Sequence, residues 1–215
     1  MYSEEQRRLQ SSFNTTDLAD RLVEMIVKST VDDRERAFIE TREMFFLSTV
    51  DEEGRPTVSF KGGAPGFIRV LDDTTLAFPS YDGNGMFLSM GNIAATSQIG
   101  LLLIDFETPH RMRIQGTATI DLEDPLMSEY PSSNLIVRLN IEKTWINCPR
   151  YIPKYKKVAA SKYIPGKDGS APLAEWKKIE EVRSVLSAND RKTVESSGET
   201  LTMEQYAKKV SEGDG

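Results

Sequence analysis

The stretch Phe78-Pro79-Ser80-Tyr81-Asp82-Gly83-Asn84-Gly85-Met86-Phe87-Leu88-Ser89-Met90-Gly91-Asn92-Ile93 decides how this chain is read. A β-rich run ends at Phe78 and Pro79. A polar turn with two glycines follows, from Ser80 to Gly85. A helix with apolar Met86, Phe87, Met90 and Ile93 is expected to open directly after it. Strand, turn and helix in that order present free backbone N–H groups at a helix N-terminus, where an anion such as a phosphate is stabilised. Further on, QIGLLLID (Gln98 to Asp105) reads as a buried strand. HRMRIQG (His110 to Gly116) then alternates with period two. Arg111, Arg113 and Gln115 fall on one face, Met112 and Ile114 on the other. An anion-sized turn followed by a cationic strand points to a phosphorylated small ligand.

Outward from this centre, short β-rich runs recur. Two of them flank Asp51-Glu52-Glu53-Gly54, a hairpin turn with glycine in the positive-φ position. Strands are expected over Gly66 to Val70, Thr75 to Phe78, Ile99 to Ile104, Arg111 to Ile120 and Leu135 to Trp145. A short helical excursion is expected over Asp121 to Pro131. The spacing, with one inserted helix, favours a barrel over a parallel sheet, and no second GxGxxG-type βαβ unit appears. Before the strands, Met1 to Asn14 is polar and loosely held. A helix capped by Thr16 or Asp17 carries Leu18, Leu22, Met25 and Ile26, and a second covers Asp32 to Thr41. After Tyr155 the composition shifts. An amphipathic helix is expected over Ala174 to Leu186, a polar stretch over Asn189 to Glu199, and a short helix over Leu201 to Val210. The expected division is an N-terminal helical segment packed on the barrel (1–42), the barrel (43–155), and a C-terminal helical extension with a tail (156–215).

Composition narrows the chemistry. The 215 residues suffice for a sizeable core. The net charge of -6, with no long block of like charge, speaks against a nucleic-acid arm. The one cysteine, Cys148, excludes an intrachain disulfide framework or thiolate cluster, and it reads as a small buried residue. The one histidine, His110, argues against a multi-histidine metal site, so no metal is expected. The N-terminus lacks an apolar signal core, and no run approaches the roughly 18 apolar residues of a membrane span. A cytoplasmic protein is the expectation.

Six pieces in order resemble the flavin-binding split β-barrel proteins related to pyridoxamine 5'-phosphate oxidase. They are TVSFKG (Thr57 to Gly62), GFIRVLDD (Gly66 to Asp73), TLAFPSYDGNGM (Thr75 to Met86), NIAATSQIGLLLI (Asn92 to Ile104), RMRIQGTATI (Arg111 to Ile120) and INCPRYI (Ile146 to Ile152). The resemblance runs from Glu43 to Tyr155. It implies a mainly β fold with flanking helices (α+β), an antiparallel, Greek-key-like split barrel of six strands. It also implies FMN bound at the interface of a homodimer.

The resemblance assigns roles residue by residue. Ser59, Phe60 and Lys61 lie on the strand that runs along the flavin, and its terminal lysine approaches the cofactor. On local pattern, Ser59 and Lys61 point outward and Val58 and Phe60 point the other way. Pro79, Ser80, Asn84, Gly85 and Met86 belong to the phosphate-holding turn. In the oxidase itself two basic residues follow the serine of this turn; here those positions are Gly85 and Met86. Lys61, Arg111 or Arg113 must then supply the charge, or the cofactor sits differently. Arg113 matches an arginine common in the family, and Arg111 stands where a flavin-contacting glutamine does. Both are cofactor candidates, although two arginines on one strand face are often paired with surface carboxylates. The Pro149 corner places Arg150 and Tyr151 as substrate-binding candidates, reaching the flavin of the other subunit.

The function expected is an FMN-dependent oxidoreductase acting on a small molecule. The alternative is a protein that binds flavin, deazaflavin or haem without pyridoxamine phosphate oxidase activity. A haem would have only His110 for an axial ligand, and a deazaflavin tail would find Lys154, Lys156 and Lys157.

Overall fold

The computed structural model describes residues 1–215, which form two compact units, Met1–Val158 and Ala159–Gly215. The first opens with helices α1 (Glu4–Ser12), α2 (Thr16–Ile26) and α3 (Asp33–Glu40). Seven strands follow: β1 (Met44–Val50), β2 (Pro56–Gly62), β3 (Arg69–Val70), β4 (Thr75–Tyr81), β5 (Gln98–Asp105), β6 (His110–Asp121) and β7 (Ser133–Asn147). Helix α4 (Leu88–Thr96) lies between β4 and β5. No helix is long and apolar enough to cross a membrane.

The strands make one antiparallel sheet in the order β2-β1-β5-β6-β7-β4-β3. Its edges, β2 and β3, do not pair, so the barrel is open, with seven strands where six were expected. Pro79 lies past the end of β3, where β4 pairs with β7 alone, an edge position that tolerates a missing N–H. The long β6–β7 pairing shifts register between Gln115 and Gly116. A Cβ on Gly116 would stand 1.9 Å from the Asn140 carbonyl oxygen, so only glycine fits this bulge.

The register sorts side chains into two faces, because antiparallel partners share a side. Phe46 pairs with Phe60 and with Leu102, Leu102 with Arg113, and Arg113 with Trp145. That row faces outward. On the other face lie Phe45, Leu47, Leu103, Met112 and Ile114, all inaccessible to solvent or nearly so. Ile39 of α3 and Met90 and Ile93 of α4 complete the core against Phe78 and Leu139. The Phe45 and Phe78 rings meet edge to face at 5.0 Å, a geometry aromatic pairs favour. Helix α3 starts cleanly because Asp32 and Glu35 form a reciprocal capping box.

Several expectations need correction. The helix after the glycine turn starts at Leu88, leaving Met86 and Phe87 outside it and exposed. β4 continues through Tyr81 rather than ending at Pro79. Of Gly66 to Val70 only Arg69 and Val70 pair. The N-cap of α2 is Thr15, whose hydroxyl donates back to the Gln10 carbonyl at 3.4 Å and makes no capping bond, so neither Thr16 nor Asp17 caps the helix. Residues Glu4–Ser12 are helical, started by a Ser3–Gln6 capping box.

In the second unit, the amphipathic helix over Ala174 to Leu186 is replaced by two 3-10 turns, Glu175–Lys178 and Glu180–Val185. The break is at Ile179, held extended by a bridge to Leu201. The Leu201 N–H donates to the Lys178 carbonyl (2.8 Å) and the Glu180 N–H to the Leu201 carbonyl (3.0 Å). The polar stretch is helix α5 (Ala188–Ser197), capped by Ser187, and α6 (Met203–Ser211) closes the chain.

Candidate functional site

The site follows from the open barrel. As the edge strand, β2 has β1 on one side only. Its residues Thr57, Ser59 and Lys61 are the partners of Thr49, Leu47 and Phe45, so they stand on the core face of the sheet. This reverses the expected orientation: Ser59 and Lys61 face in, and Val58 and Phe60 are the exposed pair. The end of β4, the glycine turn and the first turn of α4 form the other wall. Between the walls is an open cavity of about 250 Å³, lined by Thr57, Val58, Ser59 and Lys61 and by Ser80, Tyr81 and Gly83 to Met90.

The turn is shaped by its backbone. Gly85 has φ 75° with open space around it, so glycine is required there by conformation and not by crowding. The Asn84 side chain accepts from the Met86 N–H at 3.0 Å, bracing the turn. Phe87 follows in the left-handed region (φ 50°) and caps α4 without any side-chain bond. The first-turn N–H groups of Leu88, Ser89 and Met90 are therefore uncapped, at residues that line the cavity. Helix α4 is tied to the sheet by a polar stripe. Ser89 Oγ meets Ser59 Oγ at 3.0 Å, Asn92 Nδ2 donates to Thr49 Oγ1 at 3.1 Å, and Thr96 Oγ1 donates to the Val50 carbonyl at 2.8 Å.

Electrostatics mark the same place. Burial pushes the Lys61 ammonium below the ordinary lysine range, with no carboxylate or hydrogen-bond acceptor offsetting it. Burial also pushes the Tyr81 phenol up. The cavity thus holds an unpartnered, partly desolvated cation beside an uncapped helix N-terminus, and both favour a negative group.

Of the residues singled out in the sequence, Ser59, Lys61, Ser80, Asn84, Gly85 and Met86 line this cavity. Pro79 is buried next to Ser80 and does not line it. Phe60, Arg111 and Arg113 are on the opposite face of the sheet. The Arg113 guanidinium lies 5.9 Å from the Trp145 ring centre, and Arg111 has a buried Nε with no partner; neither is paired with a carboxylate. Arg150 and Tyr151 follow the end of β7, Tyr151 at φ 70° and 91% exposed. Cys148 is exposed, not buried. Its thiol is held below the usual range, chiefly by the Arg150 N–H at 3.5 Å; burial opposes this, and the Arg150 side chain and the Arg111 charge add smaller lowering effects. His110 packs edge to face on Phe38 at 4.7 Å.

Leu88, Ser89 and Thr57 were missed. Ser89 could have been found from the i, i+3, i+7 spacing of Ser89, Asn92 and Thr96, a polar stripe on an otherwise apolar helix.

The family described as pyridoxamine 5'-phosphate oxidase matches residues 31–154, a span that contains every strand of the sheet and the whole cavity. No curated protein matches the chain. Among solved structures, an FMN-binding protein of Syntrophomonas wolfei is 14% identical, covering 65% of this chain and 97% of its own, with a TM-score of 0.41. The haem storage protein HutZ of Vibrio cholerae is 18% identical (54% and 93% covered, TM-score 0.40). An F420 reductase is 17% identical (53% and 98% covered, TM-score 0.38).

Proposed function

The chain belongs to the pyridoxamine 5'-phosphate oxidase family, and from that premise we propose that it is an FMN-dependent oxidoreductase acting on a small molecule, with FMN held between β2 and the turn that leads into α4. The observation that carries this reading is the pairing of Lys61 with the uncapped start of α4 in one cavity. Both are electropositive, neither has an internal counter-charge, and a phosphate supplies what both lack.

The residues present fit FMN. The N–H groups of Leu88, Ser89 and Met90 and the Ser80 hydroxyl are donors for the phosphate, and Lys61 adds a charge-assisted bond. Lys61 is the one basic side chain among the lining residues, so it takes up the charge that Gly85 and Met86 cannot carry. Bound FMN supplies the hydride and electron chemistry. The protein's part is to orient it, exclude water and balance charge.

The same reading includes a homodimer. One chain encloses about 250 Å³, less than the roughly 300–1,000 Å³ of a ligand pocket. The outward face offers exposed Val58 and Phe60 beside Phe46, Leu102 and Trp145. A second copy seated there completes the site and brings Arg111, Arg113, Arg150 and Tyr151 to a flavin that their own chain cannot reach. Arg150 then attracts an anionic substrate. Haem is the weaker candidate, because the only histidine, His110, does not line the cavity. Deazaflavin is also weaker, because none of Lys154, Lys156 and Lys157 lines the cavity and the Lys157 ammonium is paired with Glu43.

The test is the absorbance of the purified protein followed by denaturing release of the chromophore. Released FMN supports the reading. Released haem or deazaflavin, or no chromophore together with no uptake of added FMN, overturns it.

A further inference from the structure

A buried hydroxyl in the wall of the cavity has no role in the reading above. Ser89 is 7% exposed, and its Oγ lies 3.0 Å from Ser59 Oγ on β2. The other two polar residues of the α4 stripe, Asn92 and Thr96, bind β1. β1 is paired with strands on both sides and is fixed by the sheet. β2 is different: it is the edge, paired with β1 alone, and its outward residues Val58 and Phe60 are exposed. The Ser59–Ser89 bond is the one side-chain hydrogen bond that joins the two walls of the cavity, edge strand to helix.

We infer that Ser89 is a positioning residue: its hydroxyl clasps Ser59 and so fixes the width of the gap in which the flavin sits. This rests on the proposed FMN reading for its consequence, but the clasp itself is a property of the free protein. A serine pair has two protons and needs one for the mutual bond. The remaining hydroxyl proton is free for an oxygen acceptor of the ligand, so the clasp also pre-orients a donor. With the clasp gone, β2 keeps its ladder to β1 but loses its tie to α4, and Lys61 at the far end of β2 moves with it. The cost appears at the ligand, since pre-organisation is what the site loses.

Two measurements test this on the full-length protein. The first is amide hydrogen exchange without ligand. Ser89→Ala should speed exchange several-fold in Thr57 to Gly62 while leaving β5 and β6 unchanged, and Ser89→Thr should restore the wild-type rates. Unchanged β2 rates in Ser89→Ala, or acceleration spread evenly over the sheet, overturn the inference. The second is a double-mutant cycle on FMN affinity. Ser89→Ala and Ser59→Ala should each weaken binding roughly three- to tenfold, the worth of one hydrogen bond, and the double variant should be no worse than the poorer single one. Effects that multiply overturn the clasp. If the wild type binds no FMN, the cofactor reading has failed, and hydrogen exchange still decides the clasp.

Discussion

The two faces of the sheet carry the same kinds of residue in opposite arrangements. On β6 the cations Arg111 and Arg113 point out and their apolar neighbours Met112 and Ile114 point into the core. On β2 the cation Lys61 points in and its apolar neighbours Val58 and Phe60 point out. Position in the sheet accounts for the reversal. β6 sits mid-sheet, where the covered face must be apolar. β2 borders an open gap, so its covered face can carry polar groups aimed at a ligand, and its apolar groups are left for another surface.

The contrast can be broken most sharply in the core. Phe45 is the inward register partner of Lys61 and is fully buried, whereas the adjacent Phe46 faces outward. Phe45→Ala should cost about 3–5 kcal/mol, since it leaves a cavity as well as losing burial. Phe46→Ala should cost no more than about 1.5–3 kcal/mol, the transfer value alone. Urea denaturation of both variants measures this. Equal costs would mean that the outer face is packed as tightly as the inner one.

Charge comes next. Lys61→Ala should weaken FMN binding roughly ten- to a hundredfold, the value of a lost charge-assisted bond. Lys156→Ala, in the exposed coil after the corner, should change it by less than about twofold. Arg150→Ala should raise KM or lower kcat roughly tenfold and leave flavin occupancy intact, because it reaches substrate and not phosphate. Loss of flavin in Arg150→Ala would make it a cofactor ligand.

The smallest effect is on stability and has the opposite sign to the effect on binding. Lys61 is a half-buried cation without a partner, and its titration lies below the ordinary 10.5 because of that burial. Between the lowered value and 10.5 the unfolded chain binds more protons, so the stability of the ligand-free protein rises with pH through that window. Lys61→Met should therefore raise the melting temperature slightly at neutral pH, and the gain should shrink as pH climbs towards 10.5. A lower melting temperature would show that the ammonium is satisfied in the free protein.

Much of this was legible in the sequence. The strands are legible because short β-rich, apolar runs recur between turn signals, and the alternation of Arg111 to Gln115 marks the faces of β6. Which face of β2 is covered was not legible. Alternation fixes only that Lys61 and Phe60 oppose each other, and the usual rule that apolar residues face the core fails at an open edge. The glycine turn is legible as a turn, but the helix after it starts at Leu88, two residues later than the sequence pattern implies. Met86 and Phe87 have helix-compatible spacing, and nothing local reveals that Phe87 takes a left-handed conformation. In the C-terminal unit, apolar spacing from Trp176 to Leu186 suggested one helix, and a backbone bridge between Ile179 and Leu201 overrides it. That bridge joins residues far apart in sequence, beyond the reach of a periodicity argument.

An FMN phosphate answers the two unpaired electropositive groups of one cavity, Lys61 and the start of α4. Titration calorimetry with FMN, on the wild type and on Lys61→Ala, tests it directly. Wild-type protein should show one site per chain and an affinity that falls as pH rises through the Lys61 titration, since the bound phosphate favours the ammonium. Lys61→Ala should weaken binding and remove that pH dependence. No heat with the wild type, or equal and equally pH-dependent binding by the two proteins, would contradict it.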